Sequence, residues 1–412
     1  MIAIGLSPNT QKDDVLLALT ILLTPWRWVR GHAAKTLEDW FRRFTGRQFA
    51  IAFDSGRSAE YAILKAIGVG VGDEVLIQAF TCVAVPNSIL WNGATPVYVD
   101  VNTAGNLDPK DLERKVTERS RAIIVQHTFG IPADIDAIKK VAKTHRLILI
   151  EDCAHALGAT VAGKKVGTFG EFAFFSFGRD KVVSSVAGGM AVTNSKKHAK
   201  ILRSFQRNLG FPSLAWIFAQ VLHPIAFVLI LPTYNLLSIG KFILIVLQKL
   251  RFLTKPVARQ ELTGGRPPFY PRKLPNAQAL LALHQVQKII TFNKRRREIA
   301  SVYDRELRNL PMTLPAIAEG DIFLRYNVEV QNPNNLYRFM RGKGMLLGRW
   351  YSHVIDPKDV DLGKIGYVLG SCPKAETLAQ TSLNLPTYPR MTVADAEKVV
   401  EVLKEYFRKD SK

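Results

Sequence analysis

From about residue 49 the apolar positions follow two alternating periods. Short runs such as "QFAIAF", "DEVLIQAF", "TPVYVDV", "RAIIVQHTFG" and "LILIEDCAHA" have the length and content of buried strands. Between them, "SAEYAILKAIGV", "PNSILWNGA" and "PADIDAIKKVAKTHR" read as helices. "LDPKDLERKVT" is a helix opened by Asp108, with Pro109 in its first turn. Strands alternating with helices predict an α/β protein with a mainly parallel sheet covered on both faces. Ligands of such sheets bind beyond the carboxyl ends of strands. Asp54, His127, Asp152 and the segment carrying Lys181 fall at or just after such ends.

The pattern changes further along. "NAQALLALHQVQKIITFNKRRREIASVYDREL" predicts one long helix, and its basic run from Lys294 to Arg297 reads as a solvated face. "FLRYNVEVQ", "NLYRFMRGKGM" and "TVADAEKVVEVLKEYFRK" predict a smaller α+β domain that ends in an amphipathic helix. An oddity separates the two parts. Asn208 to Gly240 contains no formally charged residue, and Lys241 to Lys273 holds eight Lys or Arg against one acid, Glu261. The expected organisation is an apolar N-terminal segment (1–36), a large domain (37–210), a hydrophobic helical insertion with a basic flank (211–270), and a long helix with the small domain (271–412).

Within the insertion, Leu214 to Leu231 is an 18-residue apolar run. That is close to the ~20 residues a spanning helix needs. Pro224 interrupts it, and "LLSIGKFILIVLQKL" follows after "PTYN", so a helical hairpin fits better than one continuous helix. Three readings stay open: association with a membrane surface through residues 211–253, burial against the large domain or a dimer partner, and a true span. A span would split one catalytic fold across a bilayer. The basic flank suits an anionic leaflet. The N-terminal "VLLALTILLTPWRWVRG" is either a second interfacial anchor or a core helix.

Composition narrows the function. The chain has 412 residues, 47% hydrophobic and 22% charged, as expected of a folded protein. A net charge of +21 points to an anionic partner. No basic stretch interleaved with aromatics forms a nucleic-acid module, so nucleic acid is not expected. Cys82, Cys153 and Cys372 lack metal-type spacing and an even count, which argues for a reducing, cytoplasmic setting and no metal site.

Candidate chemistry centres on Lys181 in "FGEFAFFSFGRDKVVSSVAGGMAVTN", 29 residues after Asp152. An apolar strand delivers a carboxylate, and a second apolar stretch delivers a lysine beside Ser176. That combination suits pyridoxal 5′-phosphate (PLP): a lysine for the aldehyde, an acid for the ring nitrogen, and small polar groups for the phosphate. Apolar neighbours and Arg179 favour the neutral amine that attacks a carbonyl. His155 is a candidate for the ring oxygen. Gly56, Arg57 and Ser58 open a helix after a strand, where free N–H groups receive an anion.

These blocks, with "SGRSAEYAILKAIGVGVGDEVLIQAFTCVAVPNSILWNGATPVYVDV", "IIVQHTFGIPADIDAI", "LIEDCAHALGATVAGKKVGTFGEFAFFSF", "GGMAVTN" and "CPKAETLAQTSLNLPTYPRMTVADAEKVVEVL", resemble the DegT/DnrJ/StrS family of PLP-dependent sugar aminotransferases. The similarity runs from about Leu37 to the C-terminus, broken by the insertion. The resemblance implies the type I aminotransferase fold, a homodimer, Lys181 as the lysine joined to the cofactor and Asp152 as partner of its ring nitrogen. It matches Gly56, Arg57, Ser58 and Ser176 to phosphate-binding positions. His155 stands where the family usually has Gln, Arg57 where it has a small hydroxyl residue, and Cys82 where an aromatic commonly stacks on the ring. The asparagine that reaches the phosphate from the second subunit has no counterpart in "FYPRKLPN", leaving Arg272 or Lys273 as substitutes. The implied activity is amino transfer from an amino-acid donor, glutamate, to a nucleotide-linked keto-sugar. The rivals are a PLP-dependent sugar dehydratase, against which Lys181 argues because such members carry histidine there, and a non-catalytic regulatory protein of the same fold.

Overall fold

The computed structural model describes residues 2–5, 8–234, 239–250 and 252–410. Seven strands form the central sheet: β1 (Phe49–Phe53), β2 (Glu74–Gln78), β3 (Thr95–Val99), β4 (Ser120–Gln126), β5 (Ile148–Asp152), β6 (Phe172–Ser176) and β7 (Gly189–Thr193). Their order across the sheet is β1-β7-β6-β5-β4-β2-β3. All neighbours are parallel except β7, which runs antiparallel to both β6 and β1. The alternating strand–helix pattern therefore predicts the sheet correctly.

Strand residues are apolar on both faces, and each face builds its own core. Ile51 and Phe53 join one cluster with Ile63, Leu64 and Phe174, whereas Ala50 and Ala52 join another with Phe41 and Phe175. Successive side chains point to opposite faces, so one five-residue strand serves two cores. The six strands other than β7 end, in chain direction, along one edge of the sheet, which carries Asp152 and Ser176.

The small domain packs Val393–Asp410 and Pro333–Gly342 around the antiparallel pair Tyr326–Glu329 and Ser382–Leu385. The expected single long helix is two, Asn276–Val286 and Ile289–Leu307. At the break, the Lys288 ammonium turns to Asp13 (2.7 Å) and Asp14 (3.0 Å). The basic run also departs from a solvated face. Lys294 and Arg297 are exposed, but Arg296 is fully buried, because its guanidinium serves backbone and side-chain oxygens inside the fold.

The N-terminal segment is part of this body. Ile2–Ala3 pairs in parallel with Met345–Leu346, and the helix Lys12–Leu22 packs on the insertion. The insertion holds two helices, Leu214–Thr233 and Ile239–Lys249, which pack on one another. Asn235 of the expected turn, residues 236–238 at the start of the expected second helix and Arg251 lie outside the described residues. Leu214–Thr233 is long and apolar enough to cross a membrane, with mean hydropathy 2.2 and half of it buried. Gln220 and His223 face inward, while Leu214, Val228 and Leu229 are exposed, Leu229 by 66%.

Candidate active site

Lys181 follows β6 in a loop that two distant residues hold. The Asn9 amide donates to the carbonyls of Lys181 (2.6 Å) and Val182 (3.1 Å). Arg296 Nη2 donates to Asn9 Oδ1 (3.0 Å) and to the Val182 carbonyl (2.8 Å). Burial lowers the Arg296 pKa to about 9. The lysine backbone is thus fixed by side chains from two distant parts of the chain.

The Lys181 Nζ lies 2.9 Å from His155 Nε2 and 5.0 Å from the centroid of the Trp350 ring. Burial lowers the pKa of this ammonium, opposed by Cys82 and Asp152. Burial, then the charges of Lys181 and Arg325, hold His155 well below the usual imidazole value. The Phe129 amide donates to His155 Nδ1 (3.4 Å), so the neutral ring keeps its proton on Nε2, facing the amine. An uncharged amine accepting from Nε2–H is the form a carbonyl nucleophile needs. Phe129 sits at φ 53°, a left-handed conformation uncommon for a bulky residue, and its ring stacks on His155 at 5.7 Å.

Asp152 ends β5, buried, with Oδ1 accepting from the Ala154 amide (2.9 Å). Burial raises its pKa, while Ala154, Lys181 and His127 pull it down. Beside it, Glu60 is 1% exposed, and its Oε1 has no hydrogen-bond partner among the described residues. Burial, then the Asp152 charge, push the Glu60 carboxyl well above the usual carboxyl range. Glu60 is legible in sequence only as a helical position. His127, also at a strand end, belongs to a different network, with Nε2 3.2 Å from Glu151. Burial of Asp54 raises its pKa to about 7, although Oδ1 accepts from the Arg272 amide (3.1 Å).

An anion cradle lies at the start of the helix Gly56–Ala66. Ser55 caps it, accepting from the Ser58 amide (3.2 Å), and the two hydroxyls are 2.9 Å apart. First-turn amides of a helix have no intrahelical acceptor, so Gly56 and Arg57 present N–H groups. A Cβ on Gly56 would stand 2.8 Å from Ser176 Cβ, so the helix approaches β6 only because that residue is glycine. The Arg57 guanidinium is committed elsewhere, to Glu261 and the Pro256 carbonyl (3.0 Å), so its offering to an anion is the backbone N–H. Arg272 and Lys273 lie beside β1, their amides donating to Asp54 Oδ1 and the Gly210 carbonyl.

Cys82 is half-buried in a short strand beside Asp356, and burial raises its thiol pKa despite the nearby Lys181 charge. Aromatic surface at the lysine comes instead from Trp350, with Tyr351 and Phe129 behind it. Trp350 and Arg325 belong to the small domain, and no motif in their local sequence marks them as site residues. The residues fit PLP on chemistry: a nucleophilic amine, a buried carboxylate, and an amide-lined cradle kept open by Gly56.

A profile of the DegT/DnrJ/EryC1/StrS aminotransferase family matches residues 9–218 and 250–404. The chain belongs to that family. The match starts well before Leu37, so the N-terminal segment that holds the lysine loop is a family element, whereas residues 219–249 of the insertion fall outside it. A "Pleiotropic regulatory protein" of Geobacillus stearothermophilus is 28% identical over 96% of this chain and 95% of its own length. S. venezuelae DesV, solved in complex with a ketimine intermediate, aligns with TM-score 0.74 and 25% identity over 96% of this chain and 94% of that one. The PMP-form of Spr1654 from Streptococcus pneumoniae, a putative sugar aminotransferase by its published description, aligns with TM-score 0.75, 21% identity and 97% coverage of both chains.

Proposed function

We propose that the protein is a PLP-dependent aminotransferase that passes an amino group from an amino-acid donor, glutamate, to a nucleotide-linked keto-sugar. The observation that carries this reading is the half-buried Lys181 amine beside the neutral His155, next to Asp152 and the Gly56 cradle. PLP, when bound, supplies the aldehyde and the electron-withdrawing ring that make the α-proton of an amine labile. Asp152 would hold the ring nitrogen protonated, and the amides of Gly56 and Arg57 with Ser58 and Ser176 would receive the phosphate. His155 Nε2 would orient the Lys181 amine, which in its neutral form accepts a proton from the substrate carbon and returns it across the cofactor. The sugar, the nucleotide and glutamate enter by analogy with the family.

The reading includes a homodimer acting in the cytoplasm. It also includes an anionic membrane surface as partner for residues 211–253. The exposed apolar residues Leu214, Val228 and Leu229 and the basic residues after the helix support that contact. The test is spectroscopic and chemical. Purified protein incubated with PLP should gain the visible absorbance of a lysine-bound cofactor, glutamate should bleach it, and a panel of nucleotide keto-sugars should yield one aminated mass. Absorbance that no amino donor bleaches would favour the non-catalytic alternative.

A further inference from the structure

Arg325 lies just before the strand Tyr326–Glu329 and is 4% exposed. Its guanidinium carbon sits 3.7 Å from the centroid of the Trp350 ring, the same indole that Lys181 Nζ faces at 5.0 Å. Among the described residues it makes no hydrogen bond, and no carboxylate lies within ion-pair distance. Asp180 and Asp356 influence it only through space, as burial lowers its pKa to about 10. Asp356 accepts from the Ser352 amide (3.4 Å), and a buried oxygen of Asp180 has no hydrogen-bond partner among the described residues.

The fold makes deliberate room for this cation. A Cβ on Gly348 would come within 2.6 Å of Arg325 Nη1, so glycine there leaves space for the fork. A buried charge without a partner is among the costliest arrangements a protein keeps, and removing water from it is repaid by an anion with matching geometry. The Trp350 face fixes the plane of the guanidinium, which suits two parallel N–H···O bonds to a planar carboxylate.

We propose that Arg325 binds the α-carboxylate of the amino donor while that donor's nitrogen is presented at the Lys181 position. In an α-amino acid one carbon separates amine from carboxylate, so the cation must stand close to the reacting nitrogen. Arg325 and Lys181 both contact the Trp350 indole, which brings the guanidinium to the same aromatic side chain as the reacting amine. The diphosphate of a nucleotide sugar is separated from a ring ketone by the sugar itself and would seek charge further out. The assignment rests on the aminotransferase reading and adds the residue that recognises the donor.

The test compares wild type, Arg325→Gln and Arg325→Lys as full-length, PLP-loaded proteins. In single-turnover bleaching by L-glutamate, Arg325→Gln should raise the half-saturating donor concentration by roughly 30-fold or more, consistent with a lost buried charge pair. The limiting rate should change much less, and Arg325→Lys should fall between. Titration calorimetry with glutarate, a carboxylate that cannot react, should show binding to wild type and its loss in Arg325→Gln. Should Arg325→Gln fold poorly by circular dichroism, Gly348→Ala, which displaces the fork and keeps the charge, should weaken glutamate and glutarate alike. Unchanged donor saturation, a defect confined to the limiting rate, or glutarate binding that survives Arg325→Gln overturns the assignment. Failure of wild type to take up PLP, with glutarate binding intact, would instead count against the aminotransferase reading alone.

Discussion

At the scale of single residues, burial governs the chemistry of the site. His155, Asp152, Glu60 and Arg325 are nearly or wholly removed from water and Lys181 is half-buried, and desolvation is the first cause of each pKa shift. Asp54 gives the clearest pH consequence. Its carboxyl moves from 3.8 in the unfolded chain to about 7 in the fold, so the folded state binds the extra proton. Its stabilising contribution is complete below the unfolded value and disappears as pH rises through about 7. Asp54→Asn should flatten the decline of melting temperature across that window. A slope equal to wild type would contradict the assignment.

Gly56 makes a second residue-scale prediction. Gly56→Ala forces the helix and Ser176 apart and should cost about 1–3 kcal/mol of stability, with weakened PLP retention measured by dialysis. Asn9→Ala removes two hydrogen bonds to the Lys181 loop and should cost about 1–3 kcal/mol. It should also broaden the lysine-bound absorbance band, which a merely distant stabilising residue would leave sharp. The sequence reveals Lys181 and Asp152 because each follows an apolar strand. Asn9, Arg325 and Trp350 are hidden because they meet the lysine only through tertiary contacts.

At the scale of elements, the alternating pattern in the large domain is legible because buried parallel strands and helices carry distinct periods. The break between Asn276–Val286 and Ile289–Leu307 is not, since it depends on Lys288 finding Asp13 and Asp14 from the other end of the chain. The same limit hides Arg296, whose buried role depends on Asn9 and the lysine loop. The insertion offers an element-scale test. Its polar positions, Gln220 and His223, face the protein and Gln220 shares a hydrogen bond with Thr254 (3.1 Å). Its exposed positions are apolar, and Lys241, Lys249 and Lys255 follow with no acid before Glu261. A self-complementary contact through this face would oppose like charges, whereas an anionic bilayer complements it. In flotation with vesicles containing phosphatidylserine, Leu229→Glu should reduce bound protein roughly tenfold or more. Deletion of residues 212–252 should abolish binding. Intact protein that stays monodisperse without detergent and ignores vesicles would contradict the membrane contact.

For the whole molecule, one body joins the N-terminal segment, large domain and small domain around a single lysine. The large domain supplies amine, carboxylate and anion cradle, and the small domain supplies the indole and the buried guanidinium. Family membership was legible from the ordered blocks, though its true start at residue 9 was masked by the apolar character of the first helix.

The central claim is that Lys181 joins PLP covalently. Borohydride reduction of the PLP-loaded protein, followed by peptide mass mapping, tests it most directly. The pyridoxyl mass should appear on the peptide carrying Lys181 and vanish in Lys181→Ala. A label spread over surface lysines, or a Lys181 peptide of unmodified mass, would contradict the account.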